Sequence, residues 1–244
     1  MEKNWKQWAK RPEVEQTLID RAKGVLPEME STKQLVTLVR KVYQPGMRVL
    51  DVGCNTGHYL RGLRRIDPKL DYTGVDAYAV YIDQAKMVFA DDKNVKFEVK
   101  DIFEPLFPEQ PFSIVFCCNV LLHLPDFRTP VRNLLDSTKN VCFIRALFGE
   151  YTTIVKRAMT PVFDNDGDPC DFVYQNTLQQ EYFAKFVQAL GWNIEWIADN
   201  FDPNVLASEF NTIKKGRGTR IVDGKQVDGN IIFNWMWAKL TRSQ

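Results

Sequence analysis

Apolar positions recur at helical spacing over the first forty or so residues and at strand spacing soon after. Two helical stretches open the chain. The second, about Glu30 to Tyr43, places Leu35, Val36, Leu38, Val39 and Val42 on one broad face and is stopped by Pro45-Gly46. Strand patterns then lie at Arg48–Val52, Asp71–Val75, Val95–Val99, Phe112–Cys118 and Val141–Ala146. Helical patterns stand between them: one from about Gly57 with Leu60, Leu63 and Ile66 inward, one around Tyr81–Ala90 and one at Phe127–Ser137. Such alternation predicts a parallel sheet with helices on both faces. The run Ser113 to Cys118 is almost continuously apolar, as a central strand covered on both sides requires.

After Ala146 the rhythm breaks for about 30 residues, through a stretch with Tyr151, Met159, Pro161 and the acidic run Asp164 to Asp171. A helix is expected from about Leu178 to Leu190, with Gly191 as its stop. Trp192, Ile194 and Trp196 alternate and give another strand. A second irregular region runs from Asp199 to Asn230, in which Asp223-Gly224 is a hairpin turn between Arg220-Ile221-Val222 and Gln226-Val227. The closing strand is Ile231 to Leu240, the seventh. Hairpin rather than helix signals precede it, so it is expected to enter the sheet antiparallel.

At 244 residues and 45% hydrophobic, the chain suits one α/β domain. Thirty-two basic residues against 31 acidic ones leave no global field toward nucleic acid or an anionic membrane. No apolar leader or membrane-length run is present, so a cytoplasmic protein is expected. The five cysteines form no C-x-x-C pair, which argues against a disulfide framework and a zinc site; Cys117, Cys118 and Cys142 read as small core residues.

Candidate chemistry gathers after the first strand, in Asp51-Val52-Gly53-Cys54-Asn55-Thr56-Gly57-His58. Gly53 and Gly57 permit a tight turn and close backbone approach to a ligand, and Asn55 tolerates the left-handed conformation where a fuller pattern would have a third glycine. Asp51 would repel a pyrophosphate but not the ammonium and sulfonium of S-adenosylmethionine (SAM). Asp76 ends the second strand, 19 residues past Gly57, where an acid commonly accepts hydrogen bonds from ribose hydroxyls. Asp101 ends the third, placed to meet an adenine amino group.

These segments, with Asn119-Val120-Leu121-Leu122-His123-Leu124, resemble the successive motifs of class I SAM-dependent methyltransferases. The resemblance covers roughly Arg48 to Ala146 by motif. It implies a seven-stranded Rossmann-like sheet, mostly parallel with an antiparallel last strand, and SAM as cofactor. It also implies cofactor contacts from Asp51, Gly53, Cys54, Asn55, Gly57, Asp76, Ala77, Asp101, Ile102 and Asn119. Gly53 would lie at the methionine end, Asp76 at the ribose, Asp101 and Ile102 at the adenine, and Asn119 beside the sulfonium.

His123 is the candidate base, one of two histidines and just past the fourth strand; His58 reads as structural. The expected acceptor is a small molecule methylated at oxygen, in a pocket built by residues 147–177 and 199–230; the alternatives are an RNA or protein methyltransferase and a non-catalytic SAM-binding module. The basic run Lys214 to Arg220 would suit an anionic acceptor, whereas nucleic acid is disfavoured by the balanced charge. Trp5 and Trp8 either close over SAM or pack on the domain. The run Asp164-Asn165-Asp166-Gly167-Asp168 fails as a calcium loop, because Val162 and Val173 would stand at the first and twelfth ligand positions. No metal is expected.

Overall fold

The computed structural model describes residues 12–207, 219–229 and 231–243. Two helices, α1 (Pro12–Lys23) and α2 (Glu30–Arg40), precede the sheet. Helix α2 buries Leu35, Val36, Leu38 and Val39, the face that its spacing predicts. Next come β1 (Arg48–Val52), α3 (His58–Leu63), β2 (Asp71–Asp76), α4 (Ala79–Val88), β3 (Val95–Val99), β4 (Phe112–Cys118), α5 (Arg128–Asp136) and β5 (Thr138–Gly149). Three short strands, β6 (Lys156–Ala158), β7 (Phe172–Tyr174) and β8 (Leu178–Gln179), lead into α6 (Gln180–Ala189) and β9 (Trp192–Ala198). The chain continues through β10 (Arg220–Val222), β11 (Lys225–Asp228), β12 (Ile231–Ile232) and β13 (Trp235–Arg242).

The main sheet has the order β3-β2-β1-β4-β5-β13-β9, with β8 added beside the end of β5. The first five pair in parallel, and β13 runs antiparallel to both β5 and β9. Alternate side chains of one strand feed separate cores on the two faces: Val115 and Cys117 join one, Ile114, Phe116 and Cys118 the other. This double covering is why β4 reads as unbroken apolar sequence. Strand order reverses between β1 and β4, and the loops leaving the carboxyl ends of β1, β2 and β4 converge there.

Several boundaries differ from those the sequence predicts. Strand β5 starts at Thr138 rather than Val141, where exposed Lys139 and Asn140 carry no apolar signal, and runs on through buried Leu147 and Phe148 to Gly149. Helix α3 stops at Leu63, with Ile66 bonded back to the Leu63 carbonyl in a tight turn. The expected closing strand is two strands. Ile231–Ile232 pairs with β11, and the chain turns at Asn234, whose side chain and carbonyl bond the Phe148 backbone, before β13 enters the main sheet. The stretch without rhythm after Ala146 contains the β6–β7 hairpin, too short and too exposed at β6 to show periodicity. The hairpin at Asp223-Gly224 forms as expected, both residues having positive φ. Among the described residues no helix is long and apolar enough to cross a membrane.

Candidate functional site

Three left-handed residues shape the turn after β1: Gly53 (φ 78°), Asn55 (φ 51°) and Gly57 (φ 76°). The N–H groups of Gly53 and Cys54 both donate to the Val75 carbonyl, which pins the turn to the end of β2. Asn55 completes it in place of a glycine, its side-chain oxygen accepting the Thr56 N–H at 2.7 Å. A Cβ on Gly53 would stand 2.3 Å from Cγ2 of Val120, so only glycine keeps the turn and the loop after β4 this close. At Gly57 a Cβ would meet the rings of Phe97 and Phe89 at 2.9 and 3.0 Å. Gly57 therefore serves packing of the turn on the sheet.

Asp76 closes β2 with both carboxylate oxygens engaged from the backbone: Oδ2 accepts the Asn55 N–H and Oδ1 the Tyr78 N–H, each at 3.0 Å. Desolvation nevertheless pushes its pKa up to about 6, against the lowering effect of those N–H groups. After β4, Asn119 adopts φ 62°, and its side-chain oxygen accepts from the Arg145 guanidinium at 2.5 Å. His123 sits on a single 3₁₀ turn, Leu121–His123. Its Nδ1 lies 2.9 Å from the Tyr174 carbonyl, which can only accept, so Nδ1 carries the proton and Nε2 is the basic nitrogen of the neutral ring.

A cavity of about 310 Å³ opens at the reversal of strand order. Among the residues expected to hold cofactor, Gly53, Asn55, Asp76, Ala77, Ile102 and Asn119 line it, as does His123. Asp51, Cys54, Gly57 and Asp101 do not. Asp51 is 1% exposed beneath the turn and accepts the Tyr72 hydroxyl at 2.6 Å. Burial pushes its carboxyl up to about 8; the Tyr72 bond lowers it and the Asp76 charge raises it further. Asp51 thus lies beneath the turn and outside the cavity wall. Cys54 is fully buried, and Asp101 turns its Oδ1 back to the Phe103 N–H at 3.0 Å.

Other wall residues were not singled out by the sequence. Leu18 and Met29 come from α1 and the segment before α2, Tyr78 and Tyr81 from the start of α4, and Lys100 from the end of β3. The aromatics directly after the strand-end acid Asp76 were the available signal. His58, expected to be structural, is also in the wall. Arg145 was missed as well. It is 5% exposed, forks onto Asp199 through two bonds of 2.8 Å and lies 4.2 Å over the Trp235 ring. A lone arginine inside the apolar run of β5 was its only trace.

Asp164, Asp166 and Asp168 are used in their own turn, where Asp164 Oδ1 accepts the N–H groups of the other two and Asp168 pairs with Lys156. Among the described residues no group of three or more His, Cys, Asp or Glu side chains is placed to hold a metal ion. Trp5, Trp8 and the basic residues Lys214, Lys215 and Arg217 lie outside the described residues.

A β-α-β sheet with this strand order, a left-handed turn after β1 and an acid at the end of β2 defines a nucleoside-binding site of the Rossmann-like kind. The chain belongs to the class I SAM-dependent methyltransferases. A family model described as a methyltransferase domain matches residues 49–141. A tRNA (guanine-N(7)-)-methyltransferase of Rubrobacter xylanophilus is 37% identical over 182 residues, which cover 70% of this chain and 72% of that protein. A tRNA U34 carboxymethyltransferase of Nautilia profundicola is 24% identical over 183 residues, covering 74% of this chain. The chain spans about half the length of that relative. Among solved structures, magnesium protoporphyrin IX methyltransferase from Synechocystis with bound S-adenosylhomocysteine (SAH) superposes with a TM-score of 0.56 at 14% identity, covering 97% of this chain and all of that one.

The cavity suits the family's cofactor, SAM. The Asp76 carboxylate, the apolar side chains of Ile102, Val120 and Leu124 and the glycine turn at Gly53 all line it.

Proposed function

We propose that the protein is a cytoplasmic enzyme, folded as a single domain, that transfers the methyl group of SAM to a hydroxyl oxygen of a small-molecule acceptor. The observation that carries the reading is His123, held as the Nδ1–H tautomer in the wall that also contains Gly53, Asp76 and Asn119. SAM supplies an activated methyl on a sulfonium. The chain's own part is to position and to move one proton. Asp76 accepts from the ribose hydroxyls, Gly53 and Asn55 shape the methionine end, and Ile102 packs on the adenine. His123 Nε2 accepts the acceptor's hydroxyl proton.

Residues 147–177 are fastened to the loop after β4, although neither they nor residues 199–230 line the cavity itself. The Asn176 N–H donates to the Leu122 carbonyl and its side-chain amide to the Leu124 carbonyl, both at 2.9 Å. Residues of this insertion and of 199–230 are linked in turn by an Arg157–Asp228 ion pair of 2.6 Å. Five free cysteines suit a reducing compartment.

Methylation of RNA is the second reading, favoured by the Rubrobacter and Nautilia relatives, both named for tRNA. The two separate in one assay: methyl-labelled SAM offered to cellular RNA and to a low-molecular-mass extract. Label is expected in a small-molecule product separated from unreacted SAM by chromatography, undiminished by EDTA. Label recovered in RNA would transfer the proposal to the second reading, and loss with EDTA restored by magnesium would overturn the metal-free mechanism.

Asp76 makes SAM binding pH-dependent. Its pKa near 6 means that the acceptor carboxylate is present above that pH and is converted to the neutral acid below it. Affinity for SAH is expected to be level from about pH 7 upward and to fall by up to about tenfold per pH unit below 6. Calorimetry at pH 5 and 7.5 checks this. An Asp76→Asn variant should bind more weakly by about 1–3 kcal/mol at pH 7.5 and lose the slope.

A further inference from the structure

Asn119, the first residue after β4, is tied twice to Arg145 on the neighbouring strand β5. Its backbone N–H donates to the Arg145 carbonyl at 2.9 Å, and its side-chain oxygen accepts from the guanidinium at 2.5 Å. A guanidinium has only donors, so the atom facing it must be the amide oxygen, and the orientation of the amide is fixed. The guanidinium is itself held by its fork onto buried Asp199. The amide nitrogen of Asn119 is the end left over. Among the described residues it has no hydrogen-bond partner, yet it is not sealed from solvent as the ring nitrogens of His58 are. The residue is half-buried and lines the cavity with Val120 and His123.

That nitrogen presents N–H groups and no lone pair, which decides what it can serve. A sulfonium cannot accept a hydrogen bond, and its charge repels the positive end of an N–H dipole. A hydroxyl oxygen has two lone pairs, one to form the bond to the methyl carbon and one to accept the N–H. A neutral amine has a single lone pair and must withhold it from the N–H in order to attack. Resting on the reading of an oxygen acceptor, we infer that the Asn119 amide, turned by Arg145, donates an N–H to the acceptor oxygen and so selects hydroxyl over amine acceptors. The oxygen–methyl bond forms as the carbon–sulfur bond breaks, with that electron pair going to sulfur and the hydroxyl proton to His123 Nε2. The N–H holds the oxygen in line and favours its negative charge as the proton leaves. Asn119 thus touches substrate, and Arg145 is a positioning residue.

The experiment gives the full chain methyl-labelled SAM and a low-molecular-mass extract. The labelled product is then heated in hydriodic acid, which releases O-methyl groups as methyl iodide at a temperature that spares N-methyl groups. Wild type should place its label on oxygen. Asn119→Asp keeps a partner for Arg145 and a side chain that tolerates positive φ, but turns an acceptor to the cavity in place of the donor. It should form O-methyl product about 10- to 100-fold more slowly. The share of its label on nitrogen should rise, which a merely structural loss does not produce. Asn119→Gly adopts φ 62° without strain and removes the donor without adding charge, so O-methyl product should fall to a similar extent. Both variants should bind SAH, which has no sulfonium, within a few fold of wild type. Label on oxygen in wild type, with variants that place it there at within about threefold of the wild-type rate, overturns the inference and leaves the oxygen reading intact. So does a loss of rate that SAH affinity shares equally. Label on nitrogen in wild type, or on no small molecule at all, ends the oxygen reading and this inference with it.

Discussion

Replacing Arg145 with alanine is expected to cost about 3–5 kcal/mol of folding stability, the range for breaking a buried ion pair on one side. The side chains of Arg145 and Asp199 are 6% and 2% exposed, so the carboxylate left behind could not be rescued by water. Two further groups lose a partner: the Asn119 side-chain oxygen and the face of Trp235. Arg145→Lys should recover only part of the loss, because a single ammonium cannot fork onto Asp199 and reach Asn119 at once. Urea denaturation measures both. The paired variant Arg145→Met with Asp199→Leu should be more stable than Arg145→Ala, since no charge is then stranded. If Arg145→Ala lies within 1 kcal/mol of wild type, the network has been misread. Function should suffer before folding does, because Arg145 holds the side chain of left-handed Asn119 in the cavity wall.

His123→Ala is expected to lower kcat by about 10²–10⁴-fold while SAM affinity stays within a few fold. Its Nδ1 is fixed by the Tyr174 carbonyl of β7, and that strand is carried back to the loop after β4 by Asn176. The side-chain oxygen of Asn176 also accepts the Val155 N–H at 3.0 Å, so one buried side chain ties the two arms of the insertion to the turn bearing His123. Asn176 is a positioning residue. Asn176→Ala should therefore reduce kcat less than His123→Ala. A stable His123→Ala variant with turnover within threefold of wild type would remove the histidine from the mechanism. A variant that loses melting temperature and SAM affinity together would mark it as structural.

Wherever local chemistry decides structure, the sequence was legible. The turn after β1 forms with Asn55 as its middle left-handed residue because asparagine tolerates positive φ and bonds the next N–H. Apolar runs marked β1 to β5, since strands covered on both faces admit little polarity. Boundaries were lost where exposure hid the pattern, as at Lys139 and Asn140, and where two strands of different sheets abut, as at Ile232 and Trp235.

The candidate site divides along the same line. Gly53, Asn55, Asp76, Ile102 and Asn119 are read from the sequence because each stands at a strand end, and the ends of neighbouring parallel strands must meet. The depth of each side chain is another matter. Asp51 and Asp101 share the edge with Asp76, but whether a carboxylate opens into the cavity or turns to Tyr72 or to its own loop depends on a rotation of one residue. His58 and Arg145 depend on what packs against them from distant segments: α1 beside one, Asp199 and Trp235 around the other. The order of elements and the edge where chemistry gathers thus follow from hydrophobic period and turn residues, which are properties of adjacent positions. Which side chains are buried, paired or left for a ligand is decided only by tertiary contacts, because solvation and hydrogen-bond satisfaction belong to the assembled surroundings and not to the chain.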